Sequence, residues 1–296
     1  MVLSVRKRRF MSRLAGYAVN PVRARARIAI GREQHYTIGG APVTLPPAHN
    51  LPYYQRRDPT YDAYAEAVVA DLARRHARLT VLDVGANVGD TAVAMLTAAP
   101  NIAVVSVEGD PEFAAYARRN LAQFGDRARV VEGFVGPVGS RVTYARTGTT
   151  GGFQGSAEAE EVSEWLTSQS LLADAPLAAL TVWKSDIDGF DIHVLVEHWD
   201  AITSRCDVLW FEFDPPGTLG DPDDVARLIE GLATSGRVVH VYDNLGRRMF
   251  VAPPGPAVSA VLEGLTAWLL DQRHGHLTVP YLDLWAFTPR ALDPST

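Results

Sequence analysis

Cysteine is almost missing from this chain of 296 residues, where Cys206 stands alone. One thiol excludes an intramolecular disulfide framework and any zinc site built from cysteines. It makes a reducing, cytoplasmic setting the expectation. Lysine is nearly as scarce: of 28 Lys and Arg residues, only Lys7 and Lys184 are lysine. No apolar run approaches the ~20 residues that cross a bilayer, and the stretch Leu14–Val19 is too short for a secretory signal core. No segment repeats, and no low-complexity linker divides the chain. The first 32 residues hold nine Lys or Arg and no acid. The remainder carries 19 basic and 34 acidic side chains, a net of −15 inside a total of −6. A body this acidic argues against a nucleic-acid surface. The basic arm, in contrast, suits an anionic membrane surface, a nucleic acid or an acidic partner. The rest of the composition, 47% hydrophobic and 21% charged, is that of a globular domain.

Punctuation and periodicity give the order of elements. Gly39 and Gly40 within His35–Leu45 mark a hairpin, and Pro46, Pro47 and Pro52 an irregular crossing. A helix runs from Asp58–Pro59–Thr60 to about His76, with Asp58 or Thr60 as its cap. Strands are expected at Leu79–Val84, Ile102–Val107, Val130–Phe134, Leu180–Ser185, Asp207–Phe213, Val238–Tyr242 and Val279–Phe287. Between them, helices are expected at Asp90–Thr97, Pro111–Phe124, Asp191–His198, Asp221–Thr234 and Ala257–Arg273. Arg141–Ala145 reads as a short extra strand, Thr147–Ser156 as a Gly/Thr-rich loop, and Ala157–Ser170 as a helix. Alternation of this kind implies a parallel sheet with helices on both faces, a doubly wound α/β domain. Residues 1–59 then form a basic arm with a hairpin or cap segment, and 60–296 the α/β domain. Ligands of such sheets sit at the carboxyl ends of the strands, near the point where strand order reverses.

The first of these strands ends in Asp83-Val84-Gly85-Ala86-Asn87-Val88-Gly89-Asp90. Gly85 and Gly89 permit a tight turn and close approach of a ligand, and the helix that follows offers its N-terminal N–H groups to an anion. The second strand ends in Glu108-Gly109-Asp110, with Glu108 19 residues after Gly89. That is the separation at which a carboxylate accepts hydrogen bonds from a ribose diol. Phe134, at the end of the third strand, is placed to flank a base. Asn87 and Asp90 stand where the later glycines of Gly-x-Gly-x-x-Gly belong, so a dinucleotide fits poorly.

These residues, with Lys184-Ser185-Asp186-Ile187-Asp188-Gly189-Phe190-Asp191, resemble the FkbM family of class I S-adenosylmethionine methyltransferases from about Tyr61 to Phe287. Asp188 and Asp191 stand where that family usually has Glu. The resemblance implies a Rossmann-like methyltransferase sheet, S-adenosylmethionine as cofactor, and methyl transfer to a hydroxyl of a sugar or secondary metabolite. An N- or C-methyltransferase on the same scaffold, and a non-catalytic nucleoside-binding partner, remain open alternatives. The cofactor residues expected are Asp83, Gly85, Asn87, Gly89, Glu108, Gly109 and Phe134.

The acceptor side is expected at Lys184, Asp186 and Glu212. In a chain that writes its cations as Arg, a strand-end lysine points to a need for a compact ammonium. Alternate strand residues share a face, which pairs Lys184 with Asp186. Glu212 ends an apolar strand, where a charge is costly unless paired or facing a cleft. Asp188 and Asp191 suit capping of the next helix, and His193 and His240 read as structural histidines. No metal site is expected.

Overall fold

The structure, a computed structural model, describes residues 30–57, 63–136, 141–147, 150–153, 160–162, 164–175, 178–272 and 279–293. The basic arm before residue 30 and the expected caps Asp58 and Thr60 lie outside them. Strands β1 (Gln34–Ile38) and β2 (Ala41–Leu45) form the expected hairpin. Helix α1 (Leu51–Arg57) follows where three prolines suggested an irregular crossing. Pro52 sits in its first turn, where a missing N–H breaks no helical bond. Helix α2 (Ala63–Arg75) leads to β3 (Leu79–Val84), α3 (Asp90–Ala98), β4 (Ile102–Glu108), α4 (Pro111–Leu121) and β5 (Ala128–Glu132). The Asp110 carboxylate caps α4 by accepting the N–H groups of Glu112 and Phe113.

A small antiparallel sheet then interrupts the alternation, and here the structure corrects the sequence reading. Thr150–Phe153, expected as loop, is strand β7, paired with β6 (Val142–Thr147). Glu160–Val162, expected as helix, is β8 on the other edge of β6. Strand β8 meets β6 across an intervening segment, so local periodicity cannot show its pairing; β7 is the near arm of a hairpin with β6, and its Gly151-Gly152 pair is what read as loop. Helix α5 (Ser168–Asp174) starts only after Thr167, whose side chain caps it. Next come β9 (Leu180–Ser185), α6 (Asp191–Glu197), α7 (Trp199–Thr203), β10 (Val208–Phe213), α8 (Asp224–Thr234) and β11 (Val238–Asp243). The chain closes with β12 (Arg248–Ala252), α9 (Pro256–Asp271), β13 (Leu282–Phe287) and α10 (Pro289–Leu292).

The main sheet has eight strands in the order β12-β11-β13-β10-β9-β3-β4-β5. From β10 to β5 all pairs are parallel. The expected parallel sheet fails at β13, which slots between β10 and β11 antiparallel to both. Successive residues of each central strand feed opposite cores. Val81, Val182 and Trp210 face the hairpin, α2 and α3. Leu82, Trp183 and Leu209 face α6, α8 and α9. Val43 and Leu45 of the hairpin are fully part of the first core, at 2% and 0% exposure. Strand order reverses at β3, which has β4 on one side and β9 on the other, so a ligand crevice opens above its end.

Candidate functional site

Beyond β3 the chain turns through Gly85 (φ +80°), Asn87 (φ +51°) and Gly89 (φ +79°) into α3. The N–H groups of Gly85 and Ala86 bond the Val107 carbonyl at 2.9 and 3.0 Å, and the Asp186 N–H bonds the Val84 carbonyl at 3.0 Å. The turn is thereby stitched to the ends of both neighbouring strands. Gly85 is required twice, by its positive φ and because a Cβ there would overlap the Asp186 carbonyl oxygen. Gly85→Val is therefore expected to add roughly 1–3 kcal/mol of backbone strain and to push β9 away from the turn. A lowered thermal midpoint with lost binding of a nucleoside cofactor is the expected result. Normal stability and binding would show that the crevice is not built on this turn.

Glu108 ends β4 with 8% of its surface exposed. Its Oε2 accepts the Asn87 N–H at 2.6 Å and its Oε1 the Asp110 N–H at 2.8 Å. Burial pushes its pKa up to about 7, although the two backbone donors pull the other way. Beside it, a side chain on Gly109 would collide with the Phe134 ring, so that ring rests on bare backbone. Phe134 tilts against Tyr144 (ring centres 4.9 Å) and meets Trp165 edge-on at 6.4 Å. Tyr144, carried in by β6, donates its hydroxyl to Asp110 Oδ2 at 3.2 Å. Gly85, Asn87, Glu108, Gly109 and Phe134 line one cleft with Tyr144, Asp186 and Asp188.

Asp83 and Gly89 lie beneath this surface. Asp83 is wholly buried, and its Oδ1 stands 2.7 Å from Lys184 Nζ. Lys184, 4% exposed, also approaches the Gly85 carbonyl at 3.5 Å and the Trp210 ring centre at 5.8 Å. Burial opposes the ammonium charge, but Asp83 and Asp186 outweigh it and raise its pKa. Lys184 and Asp186 do come together, at 3.9 Å. Strand β9 has ended by then, so the Asp186 side chain stands at the rim with 59% exposure while Lys184 stays below. Glu212 is half-buried, in register with Asp283 of β13, and is not among the residues that line the cleft. Asp191 accepts the Ile187 N–H at 3.2 Å instead of capping α6, whose N-cap is Phe190. Burial, then the charge of Asp186, push the Asp191 pKa up to about 7. His193 bonds Asp224 at 2.7 Å and ties α6 to α8, and His240 packs on Phe287, both away from the cleft. Among the described residues no three His, Cys, Asp or Glu side chains group as a metal site.

Two residues escaped the sequence reading because separate segments bring them in. Tyr144 comes from the small sheet. His49 comes from the stretch between β2 and α1, with Nε2 3.3 Å from Asn87 Oδ1.

The strand order with its reversed β13 defines a Rossmann-like, doubly wound α/β sheet with helices on both faces. No family model matches the chain. It is similar to ribosomal RNA small subunit methyltransferase H of a Nitratiruptor species, 26% identical over 114 residues, which are 38% of this chain and 31% of that protein. The match thus spans less than a third of the relative's own length. Among solved structures it is similar to a precorrin-6y C5,15-methyltransferase from Geobacter metallireducens GS-15, with 17% identity, TM-score 0.39 and coverage of 75% of this chain and 87% of that one. An O-methyltransferase from Bacillus cereus in complex with SAH gives 12% identity, TM-score 0.42 and coverage of 76% and 81%.

Proposed function

We propose that this chain is an S-adenosylmethionine-dependent methyltransferase that methylates a hydroxyl oxygen of a small molecule, a sugar or secondary metabolite. The observation that carries the reading is convergence. Glu108, Gly109, Phe134 and the Gly85 turn, from beyond the ends of three neighbouring strands, line one cleft at the reversal of strand order. A buried carboxylate suits a ribose diol, the Phe134 and Tyr144 rings suit a flat base, and the Gly85 carbonyl with Asp186 suits a cation. When bound, this cofactor supplies an electrophilic methyl group on a sulfonium. Asp186, at the rim, is the group placed to accept the hydroxyl proton as the new bond forms. Lys184, held by Asp83, positions Asp186 from below. An RNA acceptor is the second reading, favoured by the rRNA methyltransferase similarity; the net charge of −15 over residues 33–296 weighs against it.

Calorimetric titration with S-adenosylhomocysteine and with NAD tests the cofactor class, and transfer of labelled methyl to small-molecule or RNA acceptors tests the rest. Glu108→Ala is expected to weaken S-adenosylhomocysteine by about 1.5–3 kcal/mol, the range for hydrogen bonds to a charged group. The ionised carboxylate is the better acceptor, and Glu108 ionises only near pH 7 in the free protein. Affinity is therefore expected to rise from pH 6 to pH 8, and the rise to flatten in Glu108→Gln. The same shift has a stability counterpart. A carboxyl whose pKa is raised on folding stabilises fully below its ordinary value of 4.5, and that contribution is lost as pH climbs through about 7. A folded protein that prefers NAD, or a Glu108→Ala variant of unchanged affinity, would overturn the assignment.

A further inference from the structure

His49 is buried, 6% exposed, and both of its ring nitrogens are engaged. Nδ1 accepts the N–H of Leu51, the first residue of α1, at 3.3 Å. The ring proton therefore sits on Nε2, which faces Asn87 Oδ1 at 3.3 Å. Burial lowers the His49 pKa against the pull of Asp90, which agrees with a neutral ring. The stretch that carries His49 is firmly built. The Gln34 side-chain amide donates to the carbonyls of Pro46, Pro47 and His49 at 3.1, 3.2 and 3.0 Å. Asn120 of α4 accepts the Thr44 N–H at 2.8 Å and donates to the carbonyls of Thr44 and Val88 at 3.0 and 2.8 Å. Residues 34–51 are thus fastened to α4 and to the Gly85–Gly89 turn.

Asn87 is the other end of this contact. It is a non-glycine residue in the left-handed region, at φ +51°, a conformation that persists where the surroundings hold it. Its Oδ1 accepts the Val88 N–H at 2.8 Å besides facing His49, and its own N–H donates to Glu108 Oε2 at 2.6 Å. His49, Asn87 and Glu108 therefore form one chain of hydrogen bonds from the N-terminal segment to the carboxylate assigned to the ribose.

We propose that His49 is a positioning residue for cofactor binding: by holding the Asn87 side chain it fixes the Asn87 N–H that aims Glu108, and it makes the hairpin and α1 a working part of the site. The proposal rests on the cofactor reading of the Gly85–Gly89 turn.

Calorimetric titration of the full chain with S-adenosylhomocysteine keeps the two apart. Absence of binding by the folded native protein would sink the cofactor reading, and this proposal with it, before His49 is touched. Where the native protein binds, His49→Ala is expected to raise Kd about 5–10-fold, the worth of one hydrogen bond. His49→Gln, whose amide nitrogen can stand where Nε2 stands, is expected to return Kd to within about threefold of native. The Leu51 N–H loses its Nδ1 acceptor in both variants, so a histidine that merely starts α1 predicts that they bind alike, and that result would overturn the proposal. In an Asn87→Ala background, His49→Ala should change Kd no further, whereas full additivity would also overturn it. If His49→Ala does not fold, His49→Phe fills the space without a donor and carries the same comparison.

Discussion

Lys184→Met is expected to lower the stability of the chain by about 3–5 kcal/mol, the cost of removing one partner of a buried ion pair. Asp83, wholly buried, would be left with its charge and without the ammonium 2.7 Å away. Methionine fills most of the lysine's volume, so little of the loss would come from a cavity. The measurement is a urea or guanidinium titration, in which the midpoint should fall while the slope stays unchanged. Asp83→Asn in the same chain removes the orphaned charge, and the double variant is expected to recover much of the loss. A Lys184→Met protein as stable as the native one would mean that the pair contributes nothing, and that Lys184 is free for another role.

That lysine shows how far the sequence could be read. Its rarity pointed to a need for a compact ammonium, and the structure supplies the need: a space bounded by Asp83, the Gly85 carbonyl and the Trp210 ring. What it pairs with was not legible, because Asp83 and Lys184 are neighbours only through the β3–β9 register. The same divide runs through the fold. Strands β3 and β9 are short runs rich in Leu, Val and Thr between turn signals, and both were placed to the residue. Strand β12, Arg248–Ala252, was missed, since four of its five positions are exposed and it follows a tight turn at the sheet edge. The direction of β13 is set by its neighbours and leaves no mark in its own residues. Within the site, Glu108, Gly85 and Phe134 were readable because strand ends and turns carry their own spacing. Tyr144 and His49 were not, because tertiary packing alone brings Tyr144 of the small sheet to the cleft and His49 of the N-terminal segment to Asn87 behind it.

Asp186→Asn is expected to lower kcat by about 10²–10⁴-fold, the usual worth of a positioned general base, while S-adenosylhomocysteine binds within a few-fold of native. An aliphatic hydroxyl is a weak nucleophile, and methyl transfer to it leaves a proton that must go to an acceptor. Among the groups that line the cleft, Glu108 is occupied by the N–H groups of Asn87 and Asp110. Asp186 lies beyond the end of β9, with its side chain 59% exposed and 3.9 Å from the ammonium of Lys184. Asparagine keeps the shape and loses the charge together with the capacity to take the proton. Single-turnover methyl transfer, measured alongside calorimetry, separates the two roles open to the residue. Weakened binding with an unchanged rate of transfer would make Asp186 a ligand of the cofactor's cationic end. Losses in both would follow if Asp186 shaped the Gly85 turn, a role that its backbone already fills through the N–H bond to Val84. A loss confined to the rate of transfer is what a proton acceptor predicts.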